Sequence, residues 1–590
     1  MTSALRIANC SGFYGDRLAA AREMVEGGPV DVLTGDWLAE LTMLILAKDR
    51  QRDSRGGYAR TFVKQMEQVM GTCLERGIKV VANAGGLNPA GCAQAVREVA
   101  DRLGLAPVVA HVEGDDLLPR LGELRAAGHE LRNLDTGAPL GERTVLTANA
   151  YLGGWGIAEA LRRGADIVVT GRTTDAALVV GPAAWHHGWA RDDWDALAGA
   201  VVAGHVIECG AQATGGNYAF FQEVPGLEHP GFPIAEVAAD GSSVITKHES
   251  HGGLVSTGTV TAQLLYEIAG PRYPNPDVTA RFDTVRLSRI GPDRVAIHGV
   301  RGEPPPPTSK VCVNLYGGHK AVLSFFLTGL DIDDKADLLL RSLWAALPGG
   351  RESFAESEVD LIRSDHPDPG RNETAFAQLR VTLKDPDQTR FGRPLTSAVT
   401  ELGLASYPGF FGAPAITQAY GVYWPAAVPS ELLTHEVVIG EERHPVPPTL
   451  PPGPGAGETA PDSPTPAGAA VDGSGAVVRL PLGRIAGARS GDKGGNANLG
   501  VWVRTDTEWA WLETYLTVHR LRELLPETGG LDVRRHTFPL LRAVNFVITG
   551  LLGEGVASST RMDPQAKSLG EYLRAKVVEV PAAIAGRTES

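Results

Sequence analysis

Residues Gly77 to Leu105, GIKVVANAGGLNPAGCAQAVREVADRLGL, indicate the fold of the amino-terminal part of this chain. The stretch opens with a short β-branched run, which is typical of a buried strand, and breaks at the small residues 83–86. Asn88 and Pro89 then signal the start of a helix, because an Asn side chain accepts free amides and proline presets helical φ. The stretch therefore predicts one buried strand that leads into one amphipathic helix.

The loop between this strand and this helix has two interpretations. Free N–H groups at the positive end of a helix dipole suit a phosphate or carboxylate. On that interpretation the loop binds the anionic part of a substrate through Asn83, Gly85, Gly86 and Asn88. The alternative is a glycine turn that only connects the two elements.

The first 200 residues repeat the same theme of strand, polar break and helix. The pattern predicts strands at 5–10, 30–34, 78–83, 107–112, 144–149 and 166–170. Strands that alternate with helices indicate an α/β fold with a parallel sheet flanked by helices. We assign residues 1–209 to this parallel α/β domain.

The rest of the chain changes in composition twice. Residues 210–445 mix short strands, turns and helices, and predict an α+β region. Residues 446–476 are rich in proline and glycine and predict a linker. Residues 477–590 resume a globular composition that is compatible with a C-terminal ferredoxin-like α+β domain.

Composition and charge exclude several classes of function. The formal net charge of −14 has the wrong sign for general attraction to nucleic acid or to an anionic membrane. The five cysteines are scattered without a CxxC pair, which is typical of reduced thiols in a cytoplasmic protein. No apolar run is long enough to span a membrane. We expect a cytoplasmic homo-oligomer without nucleic-acid or membrane partners.

Acidic residues follow several of the predicted strands. In a parallel sheet ligands bind outside the carboxyl ends of the strands, so these positions predict an active site. Paired carboxylates there can keep one acid protonated and the other ionised. The candidate catalytic acids are Asp16, Asp36, Glu113, Asp115 and Asp116. Helix capping is the alternative for Asp36 and Asp116, each of which precedes an apolar helical run.

Asn149, Arg172 and Asp175 are predicted to bind substrate at the same edge. Arg172 follows the strand DIVVT, where a guanidinium can hold a carboxylate or phosphate through two parallel hydrogen bonds. The alternative for Arg172 is an ion pair with Asp175, three residues on.

The helix predicted at 192–209 carries His205, Glu208 and Cys209 on one face of its last turn. His205 and Glu208 are candidates for a general base and its orienting acid. One helix face cannot close a zinc site, so no metal is predicted, and a buried histidine at a helix end is the alternative.

A second glycine-rich stretch, ARSGDKGGNAN, covers residues 488–498. Arg489, Asp492 and Lys493 are predicted to bind substrate there, with the two cations beside flexible amides forming an anion cradle. The stretch is not a Walker A loop, because the Gly-Lys-Ser/Thr order is missing. A hairpin turn with solvated charges is the alternative.

Many separated motifs of this chain resemble the acyclic terpene utilisation protein A (AtuA) family. They include GFYGDR, GDWLAELTM, ANAGGLNP, VEGDDL, NAYLGGWGIAEAL, GHVIECGAQATGGN and LASYPGF. The segment from ARSGDKGGNANLGV to NFVI resembles the ferredoxin-fold domain that often follows it. The resemblance implies a part in the metabolism of acyl thioesters or branched carboxylates, since the family takes its name from a bacterial pathway that degrades terpenols through coenzyme A thioesters.

These observations leave two hypotheses for the function. The first is an acid–base enzyme, a hydratase or lyase acting on a branched acyl-CoA thioester or related carboxylate. The second is a non-catalytic subunit that presents an acyl thioester to a carboxylase-type partner. No cofactor is predicted beyond coenzyme A as part of the substrate, and no GxGxxG fingerprint follows a strand.

Overall fold

A computed structural model describes residues 3–452 and 476–585 of the chain. The chain divides into two compact units. Among the described residues, the first comprises residues 3–314, 423–452, 476–556 and 563–585, and the second comprises residues 315–422 and 557–562. Most of the predicted linker, residues 453–475, lies outside the described residues.

The chain forms strands and helices in alternation over most of its described length. The strands are β1 (Leu5–Asn9), β2 (Val32–Gly35), β3 (Lys79–Ala82), β4 (Val109–Glu113), β5 (Val145–Ala150), β6 (Ile167–Thr170), β7 (Ile234–Val237), β8 (Ser243–Thr246), β9 (Arg272–Pro274), β10 (Thr279–Arg281), β11 (Arg286–Gly291), β12 (Arg294–His298), β13 (Arg301–Glu303), β14 (Thr308–Thr328), β15 (Glu356–Arg363), β16 (Phe376–Asp385), β17 (Phe411–Pro429), β18 (His435–Ile439), β19 (Glu442–Val446), β20 (Val477–Pro481), β21 (Gly487–Lys493), β22 (Asn496–Trp502), β23 (Val533–Phe538), β24 (Ala543–Ile548) and β25 (Val577–Pro581). The helices are α1 (Ala20–Glu26), α2 (Glu40–Arg52), α3 (Arg60–Arg76), α4 (Pro89–Leu103), α5 (Leu121–Ala126), α6 (Trp155–Arg162), α7 (Ala177–His187), α8 (Trp194–Ile207), α9 (Thr257–Leu264), α10 (Ile332–Ala346), α11 (Arg393–Glu401), α12 (Asp506–Tyr515), α13 (Val518–Leu524), α14 (Leu569–Arg574) and α15 (Ala582–Ala585). Among these helices of residues 3–452 and 476–585, none is both long enough and apolar enough to cross a membrane.

The first unit is built around an eleven-stranded sheet whose five central strands are parallel, in the order β1-β2-β3-β6-β4. Antiparallel strands extend it on both sides, with β7, β8, β12 and β11 beyond β1, and β18 and β19 beyond β4. The predicted parallel sheet is thus present in its centre. Strands from the predicted middle region widen this sheet, so it continues past the predicted boundary at residue 209.

The strand predicted at 144–149 does not join the parallel sheet. It forms as β5, but β5 pairs with β14. The end of β5 still reaches the sheet edge, because Asn149 bridges to Asp116 and the N–H of Ala150 donates to the carbonyl of Asp115 at 2.8 Å. The prediction that six strands share one sheet is therefore wrong for this strand, since a short apolar run does not specify its partner.

Helices α3 and α4 cover one face of the parallel strands. Helix α3 buries one apolar stripe, and α4 follows its predicted N-cap Asn88, whose side chain accepts the N–H of Gly91 at 2.9 Å. The two helices contribute to one core with Phe62, Met66, Val69, Met70, Cys73, Cys92, Ala93, Val96 and Ala100. This core fixes the ends of the strands that carry the polar residues described below.

The carboxy-terminal region of the first unit contains a four-stranded antiparallel sheet in the order β21-β22-β24-β23. Strands β20 and β25 form a separate pair. Thr505 and Glu508 make a capping box at the start of α12, which satisfies two free amides of that helix. One apolar core runs through these elements and includes Leu499, Val501, Leu512, Leu521, Phe546 and Leu573.

The second unit contains an antiparallel sheet in the order β15-β16-β14-β17. Helices α10 and α11 pack beside this sheet around a core of their own. The core includes Leu323, Phe325, Leu339, Leu343, Leu379, Val381, Leu395 and Tyr407.

Candidate functional site

Four polar residues follow the carboxyl ends of four adjacent parallel strands. They are Asp36 after β2, Asn83 after β3, Asp115 after β4 and Arg172 after β6, and all four are buried. The predicted convergence of strand-end residues is confirmed for this set. Buried polar groups need partners, so the bonds they make define the site.

Asp36 and Asn83 form a linked pair. The side-chain amide of Asn83 donates to Asp36 Oδ1 at 2.5 Å, and its oxygen accepts the N–H of Trp37 at 2.8 Å. The N–H of Leu38 also donates to Asp36 Oδ1, at 2.9 Å. Burial, together with the negative charge of Asp175, raises the pKa of Asp36 well above its usual range. Asp36 therefore favours its protonated form.

Asp115 ties three elements of the site together. Its Oδ2 accepts the backbone N–H of Arg172 and the side-chain amide of Asn149, each at 2.8 Å. Gly171 is required beside it, because a Cβ at that position would lie 2.3 Å from Asp115 Oδ1. Burial raises the pKa of Asp115 to about 7. The bonds of Asp115 indicate that it fixes the strand ends in place.

Arg172 forms the ion pair with Asp175 that the sequence offered as an alternative. Its Nη1 donates to Asp175 Oδ1 at 2.7 Å and to the carbonyl of Leu38 at 3.3 Å, while its guanidinium lies 4.4 Å from the ring centroid of Tyr151. The side chain of Arg172 is 3% exposed, whereas that of Asp175 is 29% exposed. Asp175 is thus the member of the pair that solvent and a substrate can reach.

Three further residues of this site were not predicted from the sequence, namely Tyr151, Lys310 and Tyr423. The Tyr151 hydroxyl donates to Glu40 Oε1 at 2.7 Å, and Lys310 Nζ lies 3.9 Å from the same oxygen. Burial opposes ionisation of Glu40, but Lys310, Arg172 and the Tyr151 hydroxyl outweigh it and lower the pKa of Glu40 to about 2. No local motif marks these residues, because 111 positions separate Tyr151 from Glu40.

The end of α8 brings His205 and Glu208 together as the helix spacing predicts. His205 Nδ1 lies 3.2 Å from Glu208 Oε1. Burial lowers the pKa of His205 to about 4, so its ring is neutral. Burial and the charges of Asp175 and Glu267 raise the pKa of Glu208 well above its usual range. Within residues 3–452 and 476–585, no three His, Cys, Asp or Glu side chains are arranged to hold a metal ion.

The stretch 488–498 forms the hairpin β21–β22 rather than an open loop. Its charges nevertheless face protein groups of the first unit. Arg489 hydrogen-bonds the side chain of Gln212 and lies 4.2 Å from the ring centroid of Tyr266. Lys493 Nζ lies 5.4 Å from the ring centroid of Tyr273, and its charge acts on His205 and Glu208. The hairpin alternative is thus correct for the backbone, but the side chain of Arg489 is buried against protein groups and that of Lys493 is only partly exposed.

Lys567 extends the site from the same carboxy-terminal region. Its Nζ hydrogen-bonds the Tyr266 hydroxyl and lies 3.4 Å from Glu267 Oε1 and 3.7 Å from Asp492 Oδ1. Burial, with the negative charge of Glu267, raises the pKa of Asp492 to about 7. Asp492 therefore lies in this group of charges, and its role in substrate binding stays a prediction.

Glu267 has an unusual backbone conformation. Its φ is +56°, in the left-handed region that residues with a Cβ rarely adopt. Its N–H donates to Asn498 Oδ1 at 2.7 Å, and the next carbonyl, that of Ile268, accepts from Asn498 Nδ2 at 3.3 Å and Asn545 Nδ2 at 3.2 Å. Two asparagines of the carboxy-terminal sheet thus hold the turn that carries this carboxylate.

Asp16 and Asp116 do not join this group through hydrogen bonds. Asp16 accepts the N–H groups of Gly12 at 2.8 Å and Arg17 at 2.7 Å, so it stabilises its own loop. Asp116 accepts the N–H of Leu118 at 3.0 Å, which is the capping role offered as its alternative.

Glu113 also lies outside the group, although it ends strand β4. It accepts from Arg443 Nη1 at 3.0 Å and lies 3.1 Å from His111 Nε2. These two bonds, led by that with His111, lower the pKa of Glu113 to about 2. Glu113 therefore serves as the partner of Arg443 in an ion pair on the sheet.

The amides of the glycine loop are already used within the protein. The N–H of Gly85 donates to the carbonyl of Thr170 at 3.0 Å, and that of Gly86 donates to the carbonyl of Asn83 at 3.2 Å. A Cβ at Gly85 would lie 2.5 Å from the same Thr170 carbonyl. This loop therefore serves close packing of strand and helix, and its connecting interpretation fits the structure better than anion binding.

Comparison with known proteins identifies the family of the chain. A family model described as acyclic terpene utilisation family protein AtuA matches residues 5–439, and one described as AtuA ferredoxin-like domain matches residues 480–579. Comparisons with curated proteins and with solved structures find no match. The second model covers the sheet that supplies Arg489, Lys493 and Asn498. This chain belongs to the acyclic terpene utilisation AtuA family and carries the AtuA ferredoxin-like domain at its carboxy-terminal end.

Proposed function

We propose that this protein is an acid–base enzyme, a hydratase or related lyase that acts on a branched acyl-CoA thioester or a related carboxylate. The observation that supports it is the relation between Glu208 and Asp175. Asp175 is an accessible carboxylate held by Arg172 at 2.7 Å, and its charge adds to burial in raising the pKa of Glu208. A buried carboxyl group that favours its protonated form beside an accessible acid is what general acid–base catalysis requires.

Each member of the pair has a distinct role in this proposal. In elimination, the Asp175 carboxylate takes the proton from the carbon next to the substrate carbonyl. The Glu208 carboxyl gives its proton to the departing hydroxyl, which leaves as water, and a carbon–carbon double bond forms. Hydration is the same reaction in reverse. His205 stays neutral beside Glu208 and positions that carboxyl.

The cations of the site favour an anionic substrate. Lys310, Lys493 and Lys567 come from separate parts of the sequence and are only partly buried. Lys310 and Lys567 each keep 37% of their side chains exposed. Accessible cations around a buried acid attract carboxylates and acyl groups that develop negative charge. The family description, which names acyclic terpene utilisation, supports a branched acyl chain.

The test is turnover by the purified full-length chain in a mass-spectrometric screen of branched acyl-CoA thioesters and carboxylic acids. Hydration or elimination changes the mass of a substrate by one water, and hydration in heavy-oxygen water labels the hydroxyl of the product. We expect Glu208→Gln and Asp175→Asn each to lower kcat by roughly a hundredfold or more, the usual contribution of a positioned acid or base.

Glu236→Gln is the matched control. Glu236 is also partly buried and ion-paired, but its partner is Arg294, at 2.5 Å in strand β12. Turnover should survive this change. Thioester binding without turnover would instead favour the alternative, a subunit that presents an acyl thioester to a partner enzyme.

A further inference from the structure

Lys310 lies in an aromatic recess of the site that the proposed acid–base pair does not use. Its Nζ is 4.9 Å from the ring centroid of Tyr151 and 5.6 Å from that of Tyr423. The side chain is 37% exposed, and the nearest carboxylate oxygen is that of Glu40 at 3.9 Å. An ammonium has three donors, so this long contact leaves Lys310 able to bind another acceptor.

Tyr423 places a second donor in the same recess. Its hydroxyl is buried and has no hydrogen-bond partner of normal geometry among the described residues. The ring is fixed by the hairpin turn, since a Cβ at Gly494 would lie 2.6 Å from its Cε1. The neighbouring Tyr151 hydroxyl donates to Glu40, and the Tyr423 hydroxyl lies close enough to Tyr151 for the two to interact. A buried donor without an acceptor is costly, so this one indicates a place for a ligand oxygen.

Lys493, in the ferredoxin-like domain, carries a second ammonium whose charge acts on Lys310. It precedes the Gly494 turn against which Tyr423 packs. Among the residues that the structure describes, no carboxylate oxygen lies within 4 Å of Lys493 Nζ. Two half-buried ammonium groups repel each other unless an anion lies between them.

We infer that Lys310, Lys493 and the hydroxyl of Tyr423 bind the carbonyl oxygen of the substrate, the atom that becomes negatively charged when the acid–base pair acts. The inference rests on the proposed function for the reaction, but its residues are different. Preorganised donors aimed at a developing oxyanion contribute strongly to catalysis in a site that excludes water. The substrate class is therefore a carbonyl compound whose neighbouring C–H bond is broken, such as an acyl thioester.

Binding of oxalate to the full-length protein tests this site. Oxalate is planar and presents anionic oxygens on trigonal carbon, just as the single anionic oxygen of a thioester enolate lies on trigonal carbon. Isothermal titration calorimetry should show that Tyr423→Phe, Lys310→Met and Lys493→Met each weaken oxalate binding about tenfold or more, the worth of one hydrogen bond to a charged group. Melting temperatures measured on the same samples establish that each variant is folded.

Two matched variants serve as controls for these changes. Lys79→Met removes an ammonium that is paired with Asp166 at 2.9 Å. Tyr515→Phe removes a hydroxyl that accepts from Arg520 at 2.7 Å. Both should bind oxalate as the unchanged protein does.

The outcomes separate this inference from the proposed function. If oxalate does not bind, or binds equally to all folded variants, the oxyanion site is overturned even when Glu208→Gln has abolished turnover. If Tyr423→Phe and Lys310→Met weaken oxalate binding while no thioester is turned over, the site stands and the enzymatic proposal fails. If Lys310→Met does not fold, oxalate binding by Tyr423→Phe alone tests the oxyanion site, because the Tyr423→Phe change removes only one oxygen atom.

Discussion

Asp115 accepts the backbone N–H of Arg172 at 2.8 Å, so the residues that follow strands β4 and β6 are joined by a buried carboxylate. The same oxygen holds Asn149, which connects β5 to both. Asp115 thereby sets the position from which the Arg172 side chain reaches Asp175. Asp115 therefore binds a backbone N–H group at this strand end. The accessible acid is Asp175, three residues after Arg172.

Replacing Asp115 by Asn should change how stability depends on pH. Its folded-state pKa, about 7, lies above the ordinary value of 3.8, so its stabilising effect is complete below about 3.8 and is lost as pH rises through 7. The Asn variant lacks this titration. We therefore expect the melting temperature of Asp115→Asn, relative to the unchanged protein, to rise between pH 5 and pH 8.

Thermal unfolding of both proteins across this range provides the measurement. The difference in the free energy of unfolding should change by at most about 1.4 kcal/mol per pH unit, the value for one proton. A difference that stays constant with pH would mean that Asp115 is ionised throughout the range.

Replacing Arg172 by Lys should chiefly lower kcat. An ammonium can pair with Asp175, but it cannot also reach the carbonyl of Leu38 and lie flat on the Tyr151 ring. We expect kcat to fall about tenfold, with KM nearly unchanged, because Asp175 loses its fixed orientation. Arg294→Lys, at the surface pair with Glu236, is the control. A raised KM with normal kcat would instead show that Arg172 binds the substrate directly.

Gly86→Ala should destabilise the protein more than Gly104→Ala. Both glycines have a positive φ, +54° and +68°, so each substitution costs about 1 kcal/mol in backbone strain. A Cβ at Gly104 meets nothing within 4 Å, whereas one at Gly86 would lie 2.3 Å from Leu46 Cδ1 and 3.0 Å from the carbonyl of Gly57. Urea unfolding should therefore show a further loss of roughly 1–3 kcal/mol for Gly86→Ala. Equal losses would show that the loop has room for a side chain.

Asn498→Ala should reduce turnover through Glu267, whose negative charge helps to raise the pKa of the proposed acid Glu208. The substitution removes the acceptor for the Glu267 N–H and one donor to Ile268, so the turn with φ of +56° loses its support. We expect kcat to fall about tenfold, and the double variant with Glu267→Gln to be no worse than Glu267→Gln alone. Asn496→Ala, in the same strand, breaks bonds to Asp135 and Gly550 and should lower stability without this effect. If the losses in kcat of the two single variants add in the double variant, Asn498 does not act through Glu267.

Local patterns in the sequence predicted the elements that depend on neighbouring residues. The Asn88-Pro89 start of α4 was correct, because helix capping is encoded within a few positions. The five parallel strands followed from the alternation of strand and helix. The convergence of Asp36, Asn83, Asp115 and Arg172 then followed from the geometry of a parallel sheet.

Long-range contacts account for what the sequence could not predict. Tyr151 meets Glu40 across 111 positions, and Glu267 meets Asn498 across 231. Neither contact leaves a local signal, since a lone tyrosine or asparagine is compatible with many structures. The pairing of β5 with β14 was missed for the same reason. Strand partners are chosen by packing across the whole unit.

The asparagines that hold the Glu267 turn also determine when the site can form during synthesis. Residues through β19 complete the eleven-stranded sheet, yet Asn498 and Asn545 follow it in the chain. Because a ribosome releases a protein from its amino-terminal end, a nascent chain can fold this sheet and still lack the support for Glu267. The turn that carries Glu267 therefore gains both of its asparagine partners only when strand β24 has emerged.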